Sequence, residues 1–569
     1  MQIHLYQTKH TIGDFDAIRQ YLESKTSDLQ RPGVHLFPEL FLTGYPLQDL
    51  VLQKTFIESY LEIRNWLDGF AKQFNDSLIL LGGLNYHFDD NGLPRDIENC
   101  AFAIQSGKVE KAYTKVLLPN YDIFDEEKYF SPGTSACVLT YQNQKIGVLI
   151  CEDMWVSSLH PVDPVKLLGD SCSDLDLVVN LSASPFHLGK EEKRLKRGKE
   201  ISKGLGAPFA YCNRVGGEDE ILFDGGSFIV NGENELWRGN LFHIDQISLD
   251  VPSFNGQKEE GKADIENTWE SLFSPALDSQ KPPRLPEMTD ELCQLTLQAL
   301  AFGIQEYAAK CGFKKFLVAL SGGIDSALVT AIVRLSLKEG QSMEAVYMPG
   351  FFSAEESYNW SLELCKNLGI PFKVQPIKFL HRTISNDFKQ NFGEELQGLS
   401  DENIQSRLRG ALIYARSNQT GAMVLNTSNK SEIAVGYSTQ YGDSVGALSV
   451  LGDLYKSEVF ALSKYINKAH GNLIPDGIIT RPPSAELREN QEDSQSLPAY
   501  ERLDAMLEGI LSYRMGLKEL QGSGFQREEL EKVYGLYKKS EYKRSQFCPI
   551  IKVKAKSFGF GYRIPICKK

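Results

Sequence analysis

Short apolar runs rich in β-branched and aromatic residues alternate with stretches of helical spacing up to about residue 250. The runs IHLYQT, VHLFPEL, SLILLGGLN, CAFAIQSG, KIGVLIC, DLDLVVNLS and GGSFIVNG read as strands. Strands outnumber helices there, which predicts sheets covered by helices. Residues 252–287 break the pattern, being polar, carrying a Pro-Pro pair and sustaining neither period. They read as a linker between a first domain, residues 1–251, and a second, residues 288–569.

Past Thr289 the recurrence of Leu292, Leu295, Ala299 and Phe302 predicts a helix that opens on acidic residues and closes near Gly312. The order then runs strand FLVAL, loop SGGIDS, helix, strand EAVYMPG, helix, strand FKVQPI, helix, strand AMVLNTS. That alternation predicts an α/β domain with a doubly wound parallel sheet, whose ligands gather at the carboxyl ends of the strands.

Composition narrows the function classes. Lys and Arg number 61 against 74 Asp and Glu, a formal charge of −13, which disfavours a protein built to track a nucleic-acid backbone. No segment approaches 18 uncharged apolar residues, and the opening run lacks a basic stretch followed by an apolar one. The expectation is therefore a cytoplasmic protein, neither exported nor membrane-spanning. Ten cysteines without a C-x-x-C pair and nine histidines without an H-E-x-x-H spacing fit a reducing compartment and no structural zinc.

In the second domain, LSGGIDSA follows an apolar strand and opens a helix with Ala327, Leu328, Ile332 and Val333 on its apolar side. Two glycines and two serines at a helix start let backbone N–H groups approach phosphate oxygens. The chain has no G-x-x-x-x-G-K-[ST], so the lysine that holds a γ-phosphate in that motif is missing, and a departing pyrophosphate fits better. The string ENIQSRLRG puts Asn403, Arg407 and Gly410 or Ala411 on one helical face, which reads equally well as a solvated charged face. LNTSNKSEIAVGYSTQYGD crowds Thr427, Asn429, Lys430, Glu432, Gln440 and Asp443 beyond a strand, where they suit a polyphosphate and its Mg²⁺.

The loop S-G-G-x-D-S resembles that of the ATP pyrophosphatase family, which adenylates a carboxyl or carbonyl oxygen and expels pyrophosphate. With ENIQSRLRG, NKSE, YGD, LYKSEV and PPSAEL in register, the chain from about residue 290 onward resembles the NAD synthetase family. The resemblance implies that Ala319, Leu320, Ser321, Gly322, Gly323, Ile324, Asp325, Ser326 and Thr427 bind ATP, with Lys456 and Ser484 also touching it. It implies that Asp325 and Glu432 share Mg²⁺, and that Asn403, Glu432, Tyr437, Ser438, Thr439, Gln440 and Lys543 contact deamido-NAD. Where the family often reads G-T-G-N-K-S-E, this chain has Asn426-Thr427-Ser428-Asn429, a departure that bears on the local backbone shape and not on the chemistry.

Three strings stand out in the first domain: FPEL with Glu39, YTKVLLPNYDIFDEEKYF with Lys115, and GVLICEDMW with Cys151. Singly, the cysteine reads as a small buried hydrophobe and the other two as surface charges. Together they offer a thiol, a base and a cation for an oxyanion. In this order they resemble the nitrilase, or carbon-nitrogen hydrolase, superfamily, which implies an α-β-β-α sandwich over about residues 1–250. Carried over, Glu39 is the general base, Cys151 the nucleophile and Lys115 the oxyanion partner, assisted by the Glu152 backbone N–H. The match makes Glu127 a second glutamate near the three, and Tyr121, Ser184 and Lys190 glutamine contacts.

The two resemblances together imply ATP-dependent amidation of deamido-NAD with ammonia released from glutamine, along a passage that excludes water. Small molecules are the expected partners, with no nucleic acid or membrane, in a homo-oligomer built on synthetase dimers or larger. Rival readings are another glutamine-dependent amidotransferase with the same ATP loop, and a binding or regulatory protein with a spent site.

Overall fold

The computed structural model describes residues 1–155, 160–256, 283–489, 491, 495 and 497–568, so most of the expected linker lies outside the described residues. The chain divides into two compact units, Met1–Ser271 and Leu272–Lys569.

The first unit is built on two six-stranded sheets. One joins β1 (Gln2–Gln7), β2 (Gly33–Leu36), β3 (Ser77–Phe88), β4 (Pro94–Gln105), β5 (Lys108–Thr114) and β14 (Asp245–Asp250) in the order β14-β1-β2-β3-β4-β5. The other joins β6 (Cys137–Tyr141), β7 (Gln144–Ile150), β8 (Leu177–Ser182), β9 (Phe209–Asn213), β12 (Phe228–Asn231) and β13 (Asn234–Arg238) in the order β13-β12-β9-β8-β7-β6. A hairpin of β10 (Val215–Glu218) and β11 (Ile221–Asp224) stands apart from both.

Side-chain alternation along each strand sets the layers. Ile3, Leu5, Val34, Leu36, Leu78 and Leu80 meet Val148, Ile150, Val179 and Leu181 between the sheets. Tyr6, Phe37, Ile79 and Leu81 face outward, into a cluster with Ile18, Leu22, Tyr60, Ile63 and Leu67 of the helices Phe15–Ser24 and Lys54–Ala71. On the other outer face Leu149, Val178, Phe209 and Tyr211 lie with Leu168, Leu195 and Ile201 of the helices Pro164–Ser171 and Lys190–Leu205. The result is the expected α-β-β-α sandwich. Because both faces of each sheet are covered, runs such as SLILLGGLN are apolar without a break.

The second unit carries an all-parallel sheet of β15 (Lys315–Leu320), β16 (Ser342–Tyr347), β17 (Phe372–Val374), β18 (Met423–Asn426) and β19 (Leu448–Ser449), in the order β17-β16-β15-β18-β19. The order reverses between β15 and β18, and a ligand crevice opens at such a switch point. The helix after Thr289 spans Asp290–Lys310, with Thr289 Oγ1 accepting from the Leu292 N–H at 3.3 Å. Its buried stripe includes Cys293, Leu297, Leu300 and Ile304, while Leu292, Leu295 and Phe302 are half-buried. The stripe is shifted from the expected one because this helix packs against two others, Ile324–Ser336 and Lys456–His470. No helix among the described residues is long and apolar enough to cross a membrane.

Candidate active sites

In the first unit three strand ends deliver Glu39, Lys115 and Cys151. Beyond β2 the chain stays pinned to β3, with Phe37 N–H on Leu80 O at 2.9 Å and Gly82 N–H on Pro38 O at 3.1 Å. The approach demands glycine: a Cβ at Gly82 would lie 2.2 Å from Leu40 N and 2.7 Å from Glu39 Cα. Gly82→Ala must therefore push the Glu39 turn off β3. We expect a loss of about 1–3 kcal/mol of stability, read as a lower Tm.

Glu39 is buried and held by three donors. Its Oε1 accepts from Asn99 Nδ2 and Lys115 Nζ, each at 2.8 Å, and its Oε2 from the Ala183 N–H at 2.8 Å. Lys115, 0% exposed, also donates to both oxygens of Glu126 at 2.8 Å, and Tyr45 OH donates to Glu126 Oε1 at 3.0 Å. Burial by itself would lower the ammonium's pKa, but Glu126 and Glu39 outweigh it and hold it well above the ordinary lysine value. Burial raises the Glu126 carboxyl, against the pull of Lys115.

The second glutamate is thus Glu126 and not Glu127, which lies exposed and accepts from Asn120 Nδ2 at 3.0 Å. Both belong to a short 3-10 turn, Glu126–Lys128, whose successive side chains diverge by about a third of a turn, so one points inward and its neighbour outward.

Cys151 follows β7 at φ +43, a left-handed backbone that turns the chain sharply into the 3-10 turn Cys151–Met154. The Cys151 N–H donates to Asn180 Oδ1 at 2.9 Å, and Ser182 Oγ donates to the same oxygen at 2.6 Å. Asp153 ties this turn to the lysine's. Its Oδ1 accepts from the N–H groups of Val116 (3.1 Å) and Leu117 (2.8 Å), and its Oδ2 from Ile150 N–H (3.1 Å) and Tyr113 OH (2.9 Å).

Burial, and then the Glu39 carboxylate, push the Cys151 thiol well above its ordinary value, with Lys115 opposing them. Such a shift favours the neutral thiol over the thiolate. Without glutamine, alkylation of Cys151 by iodoacetamide should climb about tenfold per pH unit above neutrality, since only the thiolate reacts. Peptide mass spectrometry reads this site separately, and a rate already level at neutral pH would refute the neutral thiol.

Of the expected glutamine contacts, Tyr121 OH donates to Glu152 Oε1 at 2.9 Å beside the thiol turn. Ser184, just past β8, donates its N–H to Asn213 Oδ1 at 2.8 Å. Lys190 opens the helix Lys190–Leu205, and burial and then Arg194 lower its ammonium, with Glu152, Cys151 and Asp122 near enough to oppose that shift.

In the second unit a cavity of about 260 Å³ opens at the carboxyl ends of the strands. Ala319 through Ser326, Thr427, Glu432, Tyr437, Lys456 and Ser484 all line it. Gly322 has φ +84 and a Cβ there would lie 2.7 Å from Ser357, so the loop's shape needs glycine. Ser326 Oγ accepts from Ser321 N–H at 3.2 Å and donates to Gly323 O at 3.1 Å, closing the turn at the start of the helix Ile324–Ser336. Neither Asn426 nor Ser428 adopts a positive φ, so the departure from the family string needs no glycine.

Asn403, Ser438, Thr439, Gln440 and Lys543 gather beside this cavity without lining it. Thr439 Oγ1 donates to Asn403 Oδ1 at 2.8 Å, Arg407 Nε to Gln440 O at 3.3 Å, and Lys543 Nζ to Gly436 O at 2.8 Å and Ser438 O at 2.6 Å. A Cβ at Gly410 would lie 2.6 Å from Tyr441 O. On this helical face Asn403 and Gly410 therefore pack on the 437–443 segment, while Arg407 stays exposed at its edge. Asp443, pushed up to about 6 by burial, accepts from the Thr439 N–H at 2.6 Å.

Asp325 and Glu432 open the two helices that flank the switch point, Ile324–Ser336 and Lys430–Val435. Among the described residues no three His, Cys, Asp or Glu side chains gather as a metal site. Two carboxylates beside a phosphate loop nonetheless suit Mg²⁺, which keeps waters and takes substrate phosphate oxygens. Sequence reasoning missed Arg409, which lines the cavity and donates Nε to Met348 O at 2.9 Å. It also missed Arg481, paired with Glu486 at 2.9 Å. The string RLRG offered Arg409, one position off the face chosen.

Residues 296–547 match the family model described as NAD synthase, and residues 33–236 that described as carbon-nitrogen hydrolase. The chain is 37% identical to the glutamine-dependent NAD(+) synthetase of Synechocystis sp., covering 100% of this chain and 98% of that protein. It is 34% identical to the enzyme of that name from Thermotoga maritima, covering 100% and 99%. Among solved structures, the glutamine-dependent NAD+ synthetase of Acinetobacter baumannii in complex with ADP superposes with a TM-score of 0.71 at 31% identity, over 99% of this chain and 98% of that one. The Cytophaga hutchinsonii enzyme, at 19% identity, shares the fold with a TM-score of 0.77, over 100% and 98%.

Proposed function

The chain belongs to the glutamine-dependent NAD(+) synthetase family, and from that premise we propose how its own residues amidate deamido-NAD to NAD with nitrogen from glutamine. The observation that carries the reading is the meeting of Glu39, Lys115 and the Cys151 turn at three strand ends, in a chain that also holds a phosphate loop at a sheet switch point.

In the amidase unit Cys151 Sγ attacks the glutamine side-chain carbonyl as Glu39 takes the thiol proton. Lys115 lies against Glu39 and stays charged, so it faces the developing oxyanion with a full positive charge. Glu39 returns the proton to the leaving nitrogen, ammonia departs, and a thioester remains. Water, deprotonated by Glu39, then releases glutamate. Glu126 anchors the ammonium, and Tyr121, Ser184 and Lys190 hold the amino-acid end of glutamine.

In the synthetase unit the backbone of Ser321–Ser326 and Thr427 hold ATP, with Lys456 and Ser484 beside them. The nicotinate carboxylate of deamido-NAD, held by Asn403, Tyr437–Gln440 and Lys543, attacks the α-phosphorus and pyrophosphate leaves. Ammonia then displaces AMP from the acyl adenylate. Mg²⁺ on Asp325 and Glu432 would neutralise charge on the phosphate oxygens.

The test is a purified-enzyme assay with deamido-NAD, Mg-ATP and glutamine, following NAD and AMP together. Equal yields support the reading. AMP without NAD would count against the ammonia supply, and neither product would reject the reading. The same reading includes assembly as a homo-oligomer, checked by light scattering against the 63.9 kDa chain.

A further inference from the structure

The synthetase cavity draws Glu432 and Lys456 from the first turns of two different helices, Lys430–Val435 and Lys456–His470. A third helix, Tyr500–Leu511, carries the group that joins those turns. Asp504, 0% exposed, accepts from Ser431 Oγ at 2.5 Å through Oδ1 and from the Ser457 N–H at 2.9 Å through Oδ2. Ser431 Oγ in turn accepts from the Lys456 N–H at 2.9 Å. Ser431 precedes Glu432 in the chain and Ser457 follows Lys456, so each carboxylate oxygen holds the neighbour of a cavity residue. The packing around Asp504 is apolar, with Ile433, Val435, Leu503 and Leu507 in one buried cluster. A carboxylate there carries a desolvation cost that an apolar side chain would not. Burial pushes it up to about 6, and its bonds from Ser431 and Ser457 oppose that shift.

Resting on the reading that Glu432 and Lys456 serve the synthetase reaction, we propose that Asp504 is a positioning residue of the adenylation step. Through Ser431 and Ser457 it fixes the two helix starts against each other, and so sets Glu432 and Lys456 in one geometry. It does not line the cavity and acts only through these neighbours. The first N–H groups of a helix have no partner within it, and its positive end favours an anion, so one carboxylate is suited to holding both starts. Adenylation is sensitive to that spacing because the phosphates of one substrate must meet groups from both helices together. A displacement of about 1 Å in such a constellation costs on the order of 10²-fold in rate.

The experiment measures kcat for NAD formation by the full chain from deamido-NAD, Mg-ATP and ammonium chloride, which bypasses the amidase unit, with Tm recorded alongside. Asp504→Asn keeps the side chain's shape and one acceptor oxygen, and should lower kcat about 10- to 100-fold at a temperature well below its Tm. Ser431→Ala should lower kcat in the same direction. The two changes combined should cost no more than Asp504→Asn alone, because both residues act along one chain of bonds. Glutamate release from glutamine without deamido-NAD or ATP should match wild type throughout. If circular dichroism shows the Asp504 variant to be misfolded, Ser431→Ala, which changes only a hydroxyl, decides alone. Lys456→Met tests the underlying reading. A lower Tm with kcat unchanged in the Asp504 and Ser431 variants, while Lys456→Met loses activity, marks a merely structural contact: it overturns the proposal and leaves the reading standing. Additive losses in the combined variant also overturn the proposal. Unchanged kcat in Lys456→Met removes the reading, and the proposal with it.

Discussion

Cys151→Ala should abolish NAD formation from glutamine, by a factor of about 10⁴ or more, while ammonium chloride still supports it. The alanine removes the single atom proposed to form the thioester and disturbs little else. The backbone of residue 151 is held by Asn180, and the turn after it by Asp153, neither through the sulfur. Residue 151 would keep its positive φ, which alanine tolerates at modest cost. The synthetase residues lie in the other unit of the chain. The measurement is NAD yield with glutamine and with ammonium, side by side. Loss of both would mean that the two activities are not separable, and retention of the first would remove Cys151 from the chemistry.

Asp325→Asn and Glu432→Gln should show the opposite split. Each removes one negative charge from the pair proposed to hold Mg²⁺, and the loss of a preorganised electrostatic partner of this kind costs about 10²–10³ in turnover. NAD formation should fall with either nitrogen source, and the Mg²⁺ concentration for half-maximal rate should rise. Glutamine hydrolysis followed as glutamate should persist. Unchanged Mg²⁺ and ATP dependence would refute the role given to the pair.

How much of this was legible in the sequence depended on how local the signal was. The S-G-G-x-D-S turn, the Cys151 turn and the strand ends were readable because each sits in one short string, next to the strand that positions it. The choice of Glu127 over Glu126 went wrong because adjacent acids on a 3-10 turn are equivalent until Lys115 and Tyr45, eleven and 81 residues away, select one of them. Asn180 and Ser182 were invisible for a related reason. They are polar residues buried at 0% exposure inside an otherwise apolar strand, and only the position of Cys151 just past the end of the neighbouring strand gives them a task. The face of Asn403 and Arg407 was ambiguous because nothing in its own string says that residues 437–443 fold back over it. Strands β5, β6, β13 and β14 lie largely at or near sheet edges, where only part of the surface is covered, and their apolar pattern is correspondingly faint.

The four bonds that converge on Asp153 give the thiol turn and the lysine turn a common fate. A fluctuation that swings residues 115–117 outward must take hydrogen bonds from the same carboxylate that holds Ile150, and a loosened Ile150 frees Val116 and Leu117 in turn. Loss of the Asp153 carboxylate would therefore be expected to loosen both turns at once.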